Sequence, residues 1–349
     1  MLCDNARAMA DGDLKLSILD QSPLYPGETP ADALRHTIEL ATKAEQWGYH
    51  RFWVTEHHGS NRVMGSSPEV LVSHLLAKTS RIRVGSGGVM LQHYSPYKVA
   101  ENFNVLANLA PGRVDLGIGG GPGGLPRTTQ ALKTGPDAGA ASLPEKLAEL
   151  DRFLHNQLEE SHPLHGLQAS PLPSLPADLY VLGTTENSAR LAADFGMPYV
   201  FALFLNSDED VMRQAVDTYR QRFDLAKGDG PRVMLALPVI VAETDDEAQG
   251  YASEIKVVRI RLESGKTFTT ATLEAAQEFG KQSQEDFEID VREAAVIHGS
   301  PETARQRLYD VRRAYQIEEV LAVTAIRNFP KRLYSYQLLG EAFAQVAAS

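Results

Sequence analysis

A chain of 349 residues with 43% hydrophobic and 23% charged residues has the composition of an ordinary folded protein with material for a large core, which excludes a wholly disordered chain. Its formal net charge of −11 argues against nucleic acid or an anionic membrane surface as partner, since both call for a basic excess, and favours a small-molecule ligand. The single cysteine, Cys3, excludes an internal disulfide framework and cysteine-based metal sites and favours a reducing cytoplasm, while no apolar run approaches the roughly 18 residues of a membrane span.

Met1 to Asp13 is polar, lacks the apolar core of a signal peptide and reads as a disordered lead-in, leaving 14–349 as one domain. Leu14 to Asp20 (LKLSILD) predicts the first strand. Thr29 or Asp32 then opens a helix whose apolar face is Ala33, Leu34, Ile38, Leu40, Ala41 and Ala44, ended by Gly48. The second strand is the aromatic and β-branched run that begins at Arg51, a surface-like basic residue, and its helix is Pro68 to Thr79, with Ser67 as the cap. The third strand, Ile82 to Leu91, carries Gly85, Gly87 and Gly88, which weaken a strand and mark a place where something approaches the backbone closely, as a flat ring would. Ser95 and Pro96 start a helix through Ala110, and the fourth strand, Arg113 to Ile118, runs into GGGPGG.

From about Leu125 to Pro176 the pattern breaks into an insertion containing a helix near Leu143 to Leu158, and the segment from Gly123 to Leu143 reads as a lid. Alternation resumes with strand Leu179 to Leu182, helix Ala189 to Phe195, strand Tyr199 to Leu203, helix Asp208 to Ala226 and strand Val233 to Val241. A helical insertion then spans roughly Asp245 to Gln284, and strand Val320 to Ile326 and helix Lys331 to Ala347 close the chain. Eight strands alternating with helices predict an α/β protein, a closed (β/α)8 barrel of the TIM type with insertions after strands 4 and 7.

In such a barrel ligands bind at the carboxyl ends of the strands, which makes the end of RFWVTEHH notable: Glu56, His57 and His58 leave the second strand there, and His93 leaves the third. Successive residues of a strand point to opposite faces, so His57 and His58 are poorly placed to share a metal ion; no metal site is expected, and a hydrolytic metal barrel using Glu56, His57, His58 and His93 is the weaker alternative. GIGGGPGG, Gly117 to Gly124, resembles a dinucleotide turn, but it lies on the fourth strand and Pro122 and Pro126 interrupt an immediate helix. The loop Gly183 to Ser188 (GTTENS) leads a helix with hydroxyls and free N–H groups. It can serve as a helix cap through Thr185 or Ser188, as a phosphate site, or as both.

LSILDQSP at the first strand, GYHRFWVTEHH at the second, IRVGSGGVML with HYSPYKVAENF at the third and GRVDLGIG at the fourth together resemble the bacterial luciferase-like flavin-dependent monooxygenases. LGTTENSARLAADFGMPYVFA, IHGSPETARQRL and RLYSYQLLGEAF extend the likeness over nearly the whole chain, most closely to the subgroup of FMN-linked oxidoreductases of bacterial sulfur and organic-compound metabolism. The resemblance implies a barrel that takes reduced FMN from a partner reductase, reacts it with oxygen and incorporates oxygen into a small organic, possibly sulfur-containing, substrate in the cytoplasm. It also implies a homodimer formed through the early barrel helices.

On the same resemblance a non-proline cis peptide falls at Gly87 and Gly88 beneath the flavin ring, His57 is the catalytic histidine, and Gly183, Thr184, Thr185 and Ser188 hold the phosphate. Glu56, His58, His93, Gly119, Gly120 and Arg127 fall near substrate or cofactor. One departure is that relatives commonly carry GRAPG after the fourth strand, where this chain has Gly120 in GGGPG. That removes a bidentate, permanently charged phosphate partner and is expected to weaken flavin binding unless Arg127, seven residues on, folds inward. Gln92, where proline is common, is a smaller departure. The alternatives are a deazaflavin-dependent hydride-transfer enzyme and a flavin-binding protein without turnover.

Overall fold

The computed structural model describes residues 14–132, 141–270 and 272–344, so the lead-in 1–13 and residues 133–140 of the expected lid lie outside the described residues. In chain order the elements begin with strand β1 (Lys15–Asp20), helix α1 (Pro30–Gln46), β2 (Arg51–Val54), α2 (Pro68–Lys78), β3 (Arg83–Met90), a 3-10 turn (Leu91–His93), α3 (Pro96–Leu109) and β4 (Val114–Gly119). The insertion after β4 holds α4 (Pro126–Leu132) and α5 (Leu143–Leu154). Next come β5 (Asp178–Gly183), α6 (Glu186–Asp194), β6 (Tyr199–Ala202), α7 (Leu203–Asn206), α8 (Glu209–Arg222) and β7 (Val233–Val241). After α9 (Asp245–Ser253), β8 (Lys256–Leu262), β9 (Thr267–Thr270), α10 (Leu273–Ser283), β10 (Phe287–Glu293) and β11 (Ile297–Gly299), the chain ends with α11 (Pro301–Tyr315), β12 (Glu319–Val323) and α12 (Phe329–Ala344).

Strands β1 to β7 and β12 pair in parallel and close on themselves, β6 with β7, β7 with β12 and β12 with β1, which makes the expected eight-stranded barrel with helices outside. Local chemistry sets the helix starts. Thr29 and Asp32 form a reciprocal cap ahead of Pro30, Ser95 accepts from the Lys98 amide, and Asp208 from the Val211 amide. Ser67 precedes α2 but makes no capping bond.

Inside the barrel, strand alternation turns every second residue inward and sorts them into layers. Leu19, Trp53, Tyr180, Leu182, Val200, Met234, Ala236, Leu321 and Val323 form an apolar layer. Beneath it, toward the strand starts, Arg51 is buried, contrary to its surface-like reading. Its guanidinium donates to Glu319 at 2.6 and 3.1 Å, to Asp115 at 2.8 Å and to the Tyr180 hydroxyl at 2.9 Å. Ser17 donates to Glu319 and the Trp53 indole to Asp115 at 2.8 Å, so every member of this charged floor is partnered.

The insertion after β7 differs from the expected run of helix. Strands β10, β8 and β9 form an antiparallel sheet in which Val258, Ile260 and Leu262 pack with Ala276 and Phe279 of α10. Lys256 to Leu262 (KVVRIRL) alternates with period two, and the helix-forming α10 and α9 on either side masked it. The last barrel strand also ends earlier than expected, at Val323. Leu125, in the turn after β4, packs on this insertion's core, so the two insertions meet. Among the described residues no helix is long and apolar enough to cross a membrane.

Candidate active site at the carboxyl ends of the strands

Glu56, beyond the end of β2, is fully buried and organises its surroundings. Its Oε1 accepts from the Tyr94 hydroxyl at 2.8 Å and lies 2.6 Å from His58 Nε2, and its Oε2 accepts the Met90 amide at 3.0 Å, joining the ends of β2 and β3. Burial and the Glu56 charge push the Tyr94 hydroxyl well above its ordinary pKa, so it stays protonated as a donor. The two histidines diverge. His58 turns to Glu56, while the His57 backbone amide donates to Gly65 at 2.7 Å and its ring nitrogen Nε2 is buried without a partner. Burial, reinforced by His58, pushes the His57 imidazole down to about 4, so the ring is neutral at ordinary pH.

Gly119 and the turn after it lie against this cluster. The His58 amide donates to the Gly123 carbonyl at 2.7 Å, His93 Nε2 to the Pro122 carbonyl at 2.9 Å, and the Gln92 side chain to the Gly121 carbonyl. Gln92 thus holds the turn, and Lys146 of α5 fastens the turn after β3 by donating to the carbonyls of Gln92 and Tyr94 at 2.9 and 3.0 Å. Pro126 does not interrupt a helix but is the first residue of α4, where its missing N–H costs nothing. Gly123 and Leu125 are therefore tied down by contacts of their own, and residues 133–140 of the expected lid lie outside the described residues.

The peptide bond between Gly87 and Gly88 is cis, at the position the resemblance gave. The approach that requires these glycines comes from the protein itself. A Cβ on Gly88 would sit 2.6 Å from the Gly117 carbonyl oxygen, one on Gly87 would sit 2.6 Å from Leu19 Cδ1, and one on Gly85 would sit 2.4 Å from the Asp115 carbonyl oxygen.

A second cluster follows β5. Thr185 caps α6, accepting the Ser188 amide on its Oγ1 at 3.3 Å, while the Ser188 hydroxyl donates to the Thr185 carbonyl at 2.6 Å and lies 3.0 Å from Tyr199 Oη. Ser188 folds so closely over Gly183 that a Cβ there would come within 1.9 Å of its Oγ. Both hydroxyls serve the cap and occupy the Ser188 amide, and of the first turn of α6 the amides of Glu186 and Asn187 remain as anion donors. The Thr184 carbonyl accepts from Asn206 Nδ2 at 2.7 Å.

Of the expected residues, Glu56, His57, His58, His93, Gly119 and the turn to Gly124 gather at the ends of β2, β3 and β4, and Gly183, Thr184, Thr185 and Ser188 gather at the end of β5. Gly120 is exposed on that turn. Arg127 stands apart from both clusters in its contacts: its side chain is exposed on α4 and its amide donates to Gln282 of α10 at 3.2 Å. Tyr94, Asn206 and Ser207 were not anticipated. Tyr94 had a signal, being adjacent to His93 at a strand end. Asn206 and Ser207 had none, because the sixth strand was read through Leu203 and the next helix from Asp208. Thr55 Oγ1, His57 Nε2, His93 Nδ1, Asn206 Oδ1 and Ser207 Oγ, all just past the ends of β2, β3 and β6, are buried without partners. Unsatisfied groups of this kind suit a ligand rich in neutral hydrogen-bonding atoms, as a flavin with its hydroxylated chain is. Among the described residues no group of three or more His, Cys, Asp or Glu side chains is placed to hold a metal ion.

Residues 15–316 match the family model described as luciferase-like monooxygenase. The chain is 43% identical over 335 residues to the protein YwcH of Bacillus subtilis (strain 168), covering 95% of this chain and 99% of that one. It is 39% identical over 331 residues to the N-acetyl-S-alkylcysteine monooxygenase of the same organism, covering 94% and 98%. The crystal structure of apo-MsnO8 superimposes with a TM-score of 0.76 at 35% identity, covering 96% of this chain and 99% of that one.

Proposed function

Because the chain belongs to the luciferase-like monooxygenase family, we propose that it uses reduced FMN and molecular oxygen to oxidise a small organic substrate bearing a thioether. Reduced FMN would supply two electrons, one oxygen atom entering the substrate and the other leaving as water, and a separate flavin reductase would renew it. The observation that carries this reading is His57: a neutral, half-buried imidazole whose Nε2 is buried and unpartnered at the strand ends is equipped to hold or move a proton at the reacting centre. The thioether rests on the named activity of the relative that is 39% identical.

In this reading Gly87 and Gly88 form the floor under the flavin ring. The amides of Glu186 and Asn187 at the start of α6 hold the phosphate, with Gly183, Thr184, Thr185 and Ser188 shaping the loop around it. Glu56, His58 and His93 fix the wall beside His57, and Gly119 and Gly120 border the phosphate. A reducing cytoplasm suits both the reductase and the lone cysteine. The homodimer belongs to the same proposal and is supported by Val70 on α2 and Val105 and Leu109 on α3, which are exposed on the early barrel helices.

The phosphate site lacks a cation at position 120, and an arginine can be tested there. A Cβ on Gly120 would meet only the far end of Leu143, at 2.9 Å, which can rotate away. Gly120→Arg is expected to tighten binding of reduced FMN by about tenfold or more, the worth of a charge-assisted hydrogen bond, and to leave reduced riboflavin, which has no phosphate, unchanged. Equal gains for both flavins would place the phosphate elsewhere.

The reading is tested by anaerobic titration with reduced FMN, followed by mixing with oxygenated buffer in the presence of an N-acetyl-S-alkylcysteine. Saturable binding and substrate-dependent product are expected. Absence of FMN binding together with binding of a reduced deazaflavin would replace the proposal with oxygen-independent hydride transfer.

A further inference from the structure

We infer that Asn206, with Ser207 beside it, receives the hydroxylated chain that joins the flavin ring to its phosphate, an assignment that rests on the flavin reading above. Helix α7 is a single turn directly after β6, and Asn206 is its last residue, at the ligand end of the barrel. Its side-chain orientation is fixed by chemistry. The Thr184 carbonyl 2.7 Å away accepts only from the NH2 group, which leaves Oδ1 on the other side of the amide. Oδ1 is buried and has no partner, and so is the Ser207 hydroxyl, held by a backbone in the left-handed conformation at φ +56°.

An orphaned carbonyl oxygen requires a donor, and an unmet acceptor in a buried setting costs about 1–3 kcal/mol. The candidate parts of the cofactor differ in what they offer. A phosphate dianion donates nothing and the reduced ring donates only from the N–H groups on its edge, whereas the hydroxyls of the linking chain each carry an O–H, so position decides between ring edge and chain. Position agrees with chemistry. Thr184 belongs to the loop that leads α6, so the amide is moored to the proposed phosphate site, while Gly87 and Gly88 mark the ring site on β3. A chain joining ring to phosphate runs between these two. Ser207, able to donate and accept, suits a second hydroxyl of the same chain.

The test compares binding of three anaerobically reduced ligands to the full protein: FMN, riboflavin, and lumiflavin, which has the ring and no hydroxylated chain. Asn206→Leu is expected to weaken FMN and riboflavin by about tenfold each, the worth of a buried hydrogen bond, and to leave lumiflavin within about twofold. Should Asn206→Leu fail to fold, Ser207→Ala carries the same test with the same ligand pattern and a smaller loss. Unchanged affinity for FMN and riboflavin would mean that water satisfies the amide, and an equal loss for all three would mean general damage to the site. Either result overturns the assignment while leaving the flavin reading intact. Failure of the wild-type protein to bind any of the three overturns both.

Discussion

Replacing His57 by alanine is expected to leave the affinity for reduced FMN nearly intact and to lower product formation by roughly 10²–10⁴-fold, the range typical for loss of a general acid or base. Affinity is spared because in this reading Nε2 is kept for the reacting centre and not for the flavin's phosphate or hydroxylated chain, while the backbone amide that anchors the segment to Gly65 is retained. The same residue predicts a pH signature. An unperturbed imidazole titrates near 6.5 and His57 is held at about 4, so as pH falls below about 6.5 the unfolded chain takes up this proton before the folded one does. Stability attached to His57 is therefore complete above that pH and declines toward pH 4. The stability advantage of wild type over His57→Ala should narrow over that window. An imidazole resonance titrating near 6.5, or turnover unchanged by the substitution, would remove His57 from the chemistry.

Arg51→Met is expected to cost about 3–5 kcal/mol of stability, because it leaves carboxylates buried without their counter-charge. Glu319 would keep only Ser17, while Asp115 would keep Trp53 and Arg83. The loss should therefore fall mainly on Glu319. Adding Glu319→Gln to Arg51→Met should recover a substantial part, since the uncompensated charge is then gone. Urea midpoints of the two variants and the wild type measure this, and a loss below about 1 kcal/mol for Arg51→Met would mean that water had taken the place of the guanidinium.

These two residues also mark what the sequence made legible. Apolar runs such as LKLSILD, bounded by Thr29, Ser95 and Asp208 at helix starts, carry the barrel in local pattern alone, and the end of RFWVTEHH places His57 at its rim. Arg51 looked like a surface residue because its partners are 64 and 268 positions away, and nothing local announces a buried ion pair. Glu56 and His58 stood out as part of the run that ends the second strand, but their attachment to Tyr94 and the Met90 amide depends on β2 and β3 lying side by side. The sheet β10–β8–β9 was missed for a different reason: β9 is four residues long, β10 is mostly exposed, and the strong helix formers of α10 outweighed them together with the alternation of β8. Asn206 gave no signal at all, since its meaning lies in one hydrogen bond to Thr184 and one that is missing.

The central claim is that this barrel transfers oxygen to a thioether at the expense of reduced FMN. The most direct measurement is a turnover with reduced FMN and an N-acetyl-S-alkylcysteine under isotopically heavy oxygen gas, with the product analysed by mass spectrometry. The account predicts one heavy oxygen atom in each product molecule and none when oxygen is withheld. Substrate consumed without heavy oxygen in the product, or consumed equally well without oxygen, would contradict it.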